Sequence, residues 1–367
     1  DQDKPYTGTD ILTADVDGDG LVDVACGAWW YRNPTWERFD IPSIYQVHFA
    51  YDIDHDGRQE LIATKKSDRL ADDRYGVSMD DWYHGLSSEF CWLKPTDPVN
   101  GRWVQHPIGS GHGNWPHGTL VAPVLPGGQL AFIAAYHSVH LGEDHYPQLF
   151  EIPSDPTQLP WPKRSLAEIL YGEELIAEDI NGNGSLDLIA GPYWLENQDD
   201  GTFQPHQFAE RIKVNQMARL RVMDVNENGL LDVIMGEQDL DFKNQVTPLS
   251  RLVWFENPGG TRKRIWKMHV IDQLRCPHSL DIADLDGDGE LEIVCAEHDA
   301  FKPYDSGCRL FVYKKTDQQG ETWFRWLVDD RFEHHDGTKI FDVAPGQVGI
   351  ASLGWTEPNY VHLWTLN

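Results

Sequence analysis

The chain reads as an all-β fold, a seven-bladed β-propeller, on three observations. Apolar or alternating runs of about four to eight residues, set apart by turn chemistry, recur throughout, and no long amphipathic helical pattern interrupts them. A loop with Asp or Asn at alternate positions, with Gly among them, returns five times beside such a run. The units number seven, and each small sheet is too small to bury its faces alone, so closure into a ring is the expected solution.

The loop is clearest where Asp284, Asp286 and Asp288 alternate with Gly287 and Gly289 and Glu292 stands at the ninth place. Hard oxygens converging on one ion, and glycine for the sharp turn, are what calcium requires. Full copies are Asp15, Asp17, Asp19 with Asp23, and Asp52, Asp54, Asp56 with Glu60. Weaker copies are Asp179, Asn181, Asn183 with Asp187, and Asp224, Asn226, Asn228 with Asp232. The flanks are short β-rich runs, which excludes an EF-hand. The expected fold thus carries calcium-binding loops of D-x-D-G-D-G type on one face.

The units are expected at 7–42, 45–108, 112–168, 173–210, 215–272, 275–330 and 333–367. The first runs from an inner strand ending at Ala14, through the Asp15 loop, to returning and outer strands ending near Ile41. The second inserts a long excursion from Lys65 to Ser88. The third has a plain turn, Leu125 to Gly128, in place of ligands. Units four, five and six repeat strand, loop and returning strand. The seventh holds Phe341 to Val343, Val348 to Leu353 and Val361 to Leu366. Ring closure is expected to pair the segment before the first strand with the seventh unit.

The net charge is -29, from 30 basic and 59 acidic residues, with a pI near 4.7. Sixteen of those acids occupy ligand positions in the five loops. So acidic a surface argues against nucleic acid or an anionic membrane as partner. No apolar run is long enough to span a bilayer. The sequence opens at Asp1 without Met, as a processed chain would, and a secreted or periplasmic location is expected. Five cysteines at irregular spacing form neither a zinc ribbon nor a disulfide framework. Free buried thiols are expected ahead of a Cys295–Cys308 bridge.

The repeated D-x-D-G-D-G loop, with W-x-x-N-P at Trp30 to Pro34, resembles the FG-GAP/VCBS class of propellers. That class includes integrin α-subunit heads, fungal lectins and carbohydrate-active enzymes. A narrower resemblance lies in Tyr75 to Trp82, Trp92-Leu93, Ile108-Gly109 and His117, which are similar to the propeller domain of the aldos-2-ulose dehydratases. It implies dehydration of 1,5-anhydro-fructose or a related keto-sugar, with zinc in the propeller. Propeller lyases that cut rhamnosyl-glucuronate linkages are similar in general architecture.

The face opposite the loops gathers the starts of inner strands and the ends of second strands, and it is rich in histidine. His48 precedes its loop acid by four residues, and His278 and His117 precede theirs, or the matching position, by six. Even offsets on strands point side chains the same way, expected here to be the central channel. With His335 they are expected to hold zinc or another divalent metal, for which neutral imidazole is a preferred ligand. The bland alternative is that each histidine caps its own strand.

His137 or His298 is the expected base, and Tyr193, Tyr83 or His84 the expected proton donor. Lys66, Arg74, Trp82, Trp115, Glu237 and Trp355 are expected to bind substrate, since stacking aromatics and cations suit an acidic sugar. Trp29, Trp30, Trp194 and Trp254 are assigned to packing. The expected activity is a carbon–oxygen lyase, a sugar dehydratase or polysaccharide lyase, acting by metal-assisted β-elimination. The alternatives are a calcium-stabilised lectin, an adhesion module of integrin type, and a glycoside hydrolase using Asp81, Glu237 or Glu297.

Overall fold

The computed structural model describes residues 10–65, 88–112, 116–136, 146–169, 174–210, 218–241, 243–260, 265–299, 301, 308–334, 337–354 and 360–365. Their strands form seven antiparallel sheets in chain order. The first sheet holds β1 (Ile11–Ala14), β2 (Asp23–Cys26), β3 (Trp29–Arg32) and β4 (Glu37–Asp40). The second holds β5 (Ile44–Tyr51) to β8 (Arg102–Ser110), and the third β9 (Pro116–Leu125) to β12 (Lys163–Ser165). The fourth runs from β13 (Leu175–Glu178) to β16 (Phe203–Gln207), and the fifth from β17 (Ala218–Met223) to β20 (Lys267–Arg275). The sixth spans β21 (Pro277–Ala283) to β24 (Trp323–Asp329), and the seventh β25 (Thr338–Ala344) to β27 (Val361–Thr365). Each first strand touches the first strands on either side, and β25 returns to β1, so the ring is closed.

The second strands explain why the sheets pack. Asp23–Cys26, Asp187–Ala190 and Glu292–Glu297 are buried at every residue, because neighbouring sheets cover both of their faces. Outer strands such as β4 are largely exposed. Seven apolar clusters result, one at each junction between sheets. Met223, Ile234 and Trp254 of the fifth, for example, meet Leu280, Ile293 and Phe311 of the sixth. Trp29, Trp30, Trp194 and Trp254 are all buried in these junctions, as assigned. Three third-strand tryptophans carry a fourth-strand histidine: Trp92 on His106 at 4.1 Å, Trp194 on His206 at 4.9 Å, Trp254 on His269 at 3.9 Å. These three histidines are therefore packing residues.

A second recurring device crosses between sheets. Asp23 Oδ1 accepts from the Asn33 N–H, and Asn33 Nδ2 donates to Val22 O and to Val343 O of the seventh sheet. Asp187 with Asn197 reaches Val124 O of the third sheet, and Asp232 with Asn257 reaches Ile180 O of the fourth. These bonds satisfy buried carbonyls that no strand partner covers. All five cysteines are buried and none is in a disulfide.

Candidate functional site

The first strands enclose a cavity of about 670 Å³ whose lining includes Asp10, His48, His117, Glu174, Arg219 and Lys339. His48 and His117 reach it by an irregularity that spacing did not predict. Val47 pairs with Ala63 and Phe49 with Ile62, so His48 is an extra residue. Gly118 pairs with Ala135 and Pro116 with Tyr136, so His117 is another, and His278 is skipped between Pro277 and Ser279 in the same way. All three histidines are thus the extra residue of a β-bulge, a device that re-aims a side chain. A bulge breaks the two-residue period, so even offsets alone do not set where these side chains point.

His48 Nδ1 lies 2.7 Å from Asp10 Oδ2, which also accepts from Gln46 Nε2, and His48 Nε2 lies 3.2 Å from Thr64 Oγ1. The Asp10 carboxylate fixes this ring's orientation. His278 goes elsewhere: it is 1% exposed, is not among the cavity-lining residues, and its ring lies 5.6 Å from that of His298. Among the described residues, the groups compact enough to hold a metal contain only carboxylates and no histidine. His48, His117 and His278 are not among those groups, and His335 lies outside the described residues.

Deeper along the channel, four sheets are tied by charge. Arg221 sits between Glu174 and Asp281, at 2.8 Å from each. The remaining carboxylate oxygens accept from Leu220 N–H and Ile340 N–H. Lys339 faces Arg221, Asp281, Glu174 and Asp10, and burial pulls its amine below the usual lysine range. Arg221, Asp281 and Lys339 did not stand out in the sequence, because each acquires its partners from neighbouring sheets.

At the end of β22 (Glu292–Glu297), opposite the carboxylate loop, His298 Nδ1 lies 2.9 Å from Glu333 Oε1, and both side chains are buried. The His298 main-chain N–H donates to Arg275 O and Cys276 O. A carboxylate behind an imidazole fixes its tautomer and its orientation, the arrangement of an oriented base. His298 was expected from sequence. Glu333, separated by 35 positions, carries no local signal.

Other expectations resolve differently. Glu237 is fully buried and clamped by two Arg251 nitrogens at 2.7 and 2.5 Å, and Glu297 is clamped likewise by Arg309. Both carboxylates are placed as strand-end fastenings. Tyr193 opens β15 (Tyr193–Asn197), half-buried against the cluster of the third and fourth sheets. His137, His84, Tyr83, Lys66, Arg74, Trp82, Trp115, His335, Trp355 and Asp81 lie outside the described residues.

The five carboxylate loops each join a first strand to a second. Their first residue accepts from the sixth residue's N–H, as Asp15 does from Gly20, Asp52 from Gly57 and Asp284 from Gly289. In four of them the ninth-position acid turns inward and accepts from the second residue, Val16 to Asp23, Ile53 to Glu60, Val225 to Asp232 and Leu285 to Glu292, whereas Ile180 donates to Glu178 O instead. Burial pushes the Asp23, Glu60 and Asp232 carboxyls up to about 7. Asp15, Asp17 and Asp19 converge, as do Asp52, Asp54 and Glu60, and Asp284, Asp286 and Glu292.

No protein-family model and no curated protein matches this chain. Solved structures do resemble it. One is a lectin of Agrocybe aegerita described for specific recognition of non-reducing terminal N-acetylglucosamine. It is 15% identical, with a TM-score of 0.54 over 97% of this chain and 85% of that one. An α-L-arabinanase of Penicillium chrysogenum complexed with arabinobiose is 10% identical, with a TM-score of 0.48 over 100% and 95%. A rhamnogalacturonan lyase of Bacillus licheniformis is 12% identical, with a TM-score of 0.47 over 99% and 73%. At these identities the likeness is one of fold, an all-β seven-bladed β-propeller.

Proposed function

We propose that this protein is a carbohydrate-active carbon–oxygen lyase, secreted or periplasmic, working on the face opposite its carboxylate loops. The observation that carries the reading is the buried His298–Glu333 pair. An imidazole fixed by a carboxylate is suited to take the proton from a carbon beside a carbonyl or carboxylate. The electron pair left on that carbon forms the new double bond as the neighbouring C–O bond breaks. The departing oxygen then takes a proton from a donor on the same face, for which Tyr193 is the described candidate. The products are an unsaturated sugar and either water or a shortened chain.

The loops are read as structural calcium sites. The chemistry fits: Glu60 is fully buried, yet its Oε1 has no partner, and the Asp187 Oδ2 oxygen is in the same position. Asp15, Asp52, Asp179, Asp224 and Asp284 and their loop partners would hold the ions, which when bound supply rigidity to that rim.

The test is ultraviolet absorbance at the wavelength of a new conjugated double bond, with keto-sugars and acidic polysaccharides as substrates. His298→Ala should lose at least about a hundredfold in turnover. Glu333→Gln should lose less and shift the pH profile. Full activity in His298→Ala would end the proposal. The second reading is a lectin, since the Agrocybe aegerita protein of like fold is one. Sugar binding by the wild type with no turnover on any substrate would favour it.

A further inference from the structure

We infer that Lys94 and Lys314 are resident cations of two carboxylate loops, and that a divalent ion enters those loops only by displacing them. The inference rests on the calcium reading above and assigns a role to residues outside the loops.

The register shows two classes. One step beyond the pairs Val24–Tyr31, Leu61–Leu93 and Ile293–Tyr313, the ninth-position acid meets Arg32, Lys94 or Lys314. One step beyond Leu188–Leu195 and Val233–Phe255, it meets Glu196 or Glu256. The first three loops have Asp at all three alternating positions, whereas the other two have one Asp and two Asn. The loops richer in Asp thus face a cation, and the loops with Asn face a glutamate.

The cations are in place. Lys314 Nζ lies 2.5 Å from Asp286, 2.6 Å from Asp288 and 3.0 Å from Glu292. Lys94 Nζ contacts Asp54 and lies 2.6 Å from Asp56. Glu196 and Glu256 instead turn outward to His206 and His269, at 2.9 and 3.0 Å, and put no cation into their loops. Calcium binds carboxylate oxygens at about 2.3–2.6 Å, so it and an ammonium cannot share the same oxygens. Lys94 does not complete its cage, because the buried Glu60 Oε1 still has no partner and belongs to the Asp52–Asp54–Glu60 group. An oxygen is thus left for an ion that replaces the ammonium.

The experiment uses the full chain, with calcium alone as probe, in melting curves and titration calorimetry. In chelator, Lys94→Met and Lys314→Met should melt below the wild type. Each should bind calcium about tenfold more tightly at one site, because the competitor is gone and the ligand charge is higher. Lys314→Arg should keep the wild-type melting point in chelator. If a Met variant does not fold in chelator, refolding on calcium is the expected result. Met variants with wild-type calcium isotherms overturn this inference and leave the calcium reading intact. A wild type that binds no calcium overturns both.

Discussion

The two rims of the ring are built on opposite principles. At the carboxylate rim, four of the five loops repeat one hydrogen-bond plan, and Asp–Asn staples carry it from sheet to sheet. At the other rim, among the described residues, features recur in only some of the sheets. Three strand starts are bulged, each around a histidine, and two strand ends are fastened by alike Glu–Arg clamps. Repetition suits a structural role, because the same local problem recurs in each sheet. Irregularity suits a single site, which needs different groups from different sheets.

The largest expected effect tests whether the irregular rim also has structural parts. Arg251→Met should cost about 3–5 kcal/mol in urea denaturation, because it strands the buried Glu237 carboxylate. A stable but inactive Arg251→Met would return Glu237 to substrate binding and blur the contrast. Next, Asn257→Leu should cost about 2–3 kcal/mol, since it leaves the carbonyls of Ile180 and Leu231 without their donor. A cost near zero would mean that the staples do not hold the regular rim.

A smaller effect is linked to pH. Burial, then His334 beside it, pulls the His362 imidazole down to about 3. The folded state therefore prefers the neutral ring. That preference costs nothing above the ordinary histidine value near 6.5 and grows as pH falls below it. At pH 5 the loss should be about 1–2 kcal/mol, and His362→Phe should flatten that part of the stability profile. An unchanged profile would show that other groups set the acid limit. The smallest effect is expected on the outer wall, where exposed Phe324 on β24 belongs to neither rim. Phe324→Ser should stay within about 0.5 kcal/mol and leave activity unchanged.

The sequence by itself determined the ring, its unit count and the position of every carboxylate loop. Those features rest on local periodicity and turn chemistry, which a short window of residues contains. It also pointed to His298 at a strand end. Only the tertiary structure decided which histidines share a space. His48, His117 and His278 sit at alike bulges, yet His48 and His117 line the cavity while the His278 ring lies beside that of His298, a difference the spacing does not carry. The acid behind each imidazole, Asp10 for His48 and Glu333 for His298, comes from an adjacent sheet. So do the partners of Arg221. Such pairs join residues distant in sequence, and closure of the ring is what brings them within bonding distance.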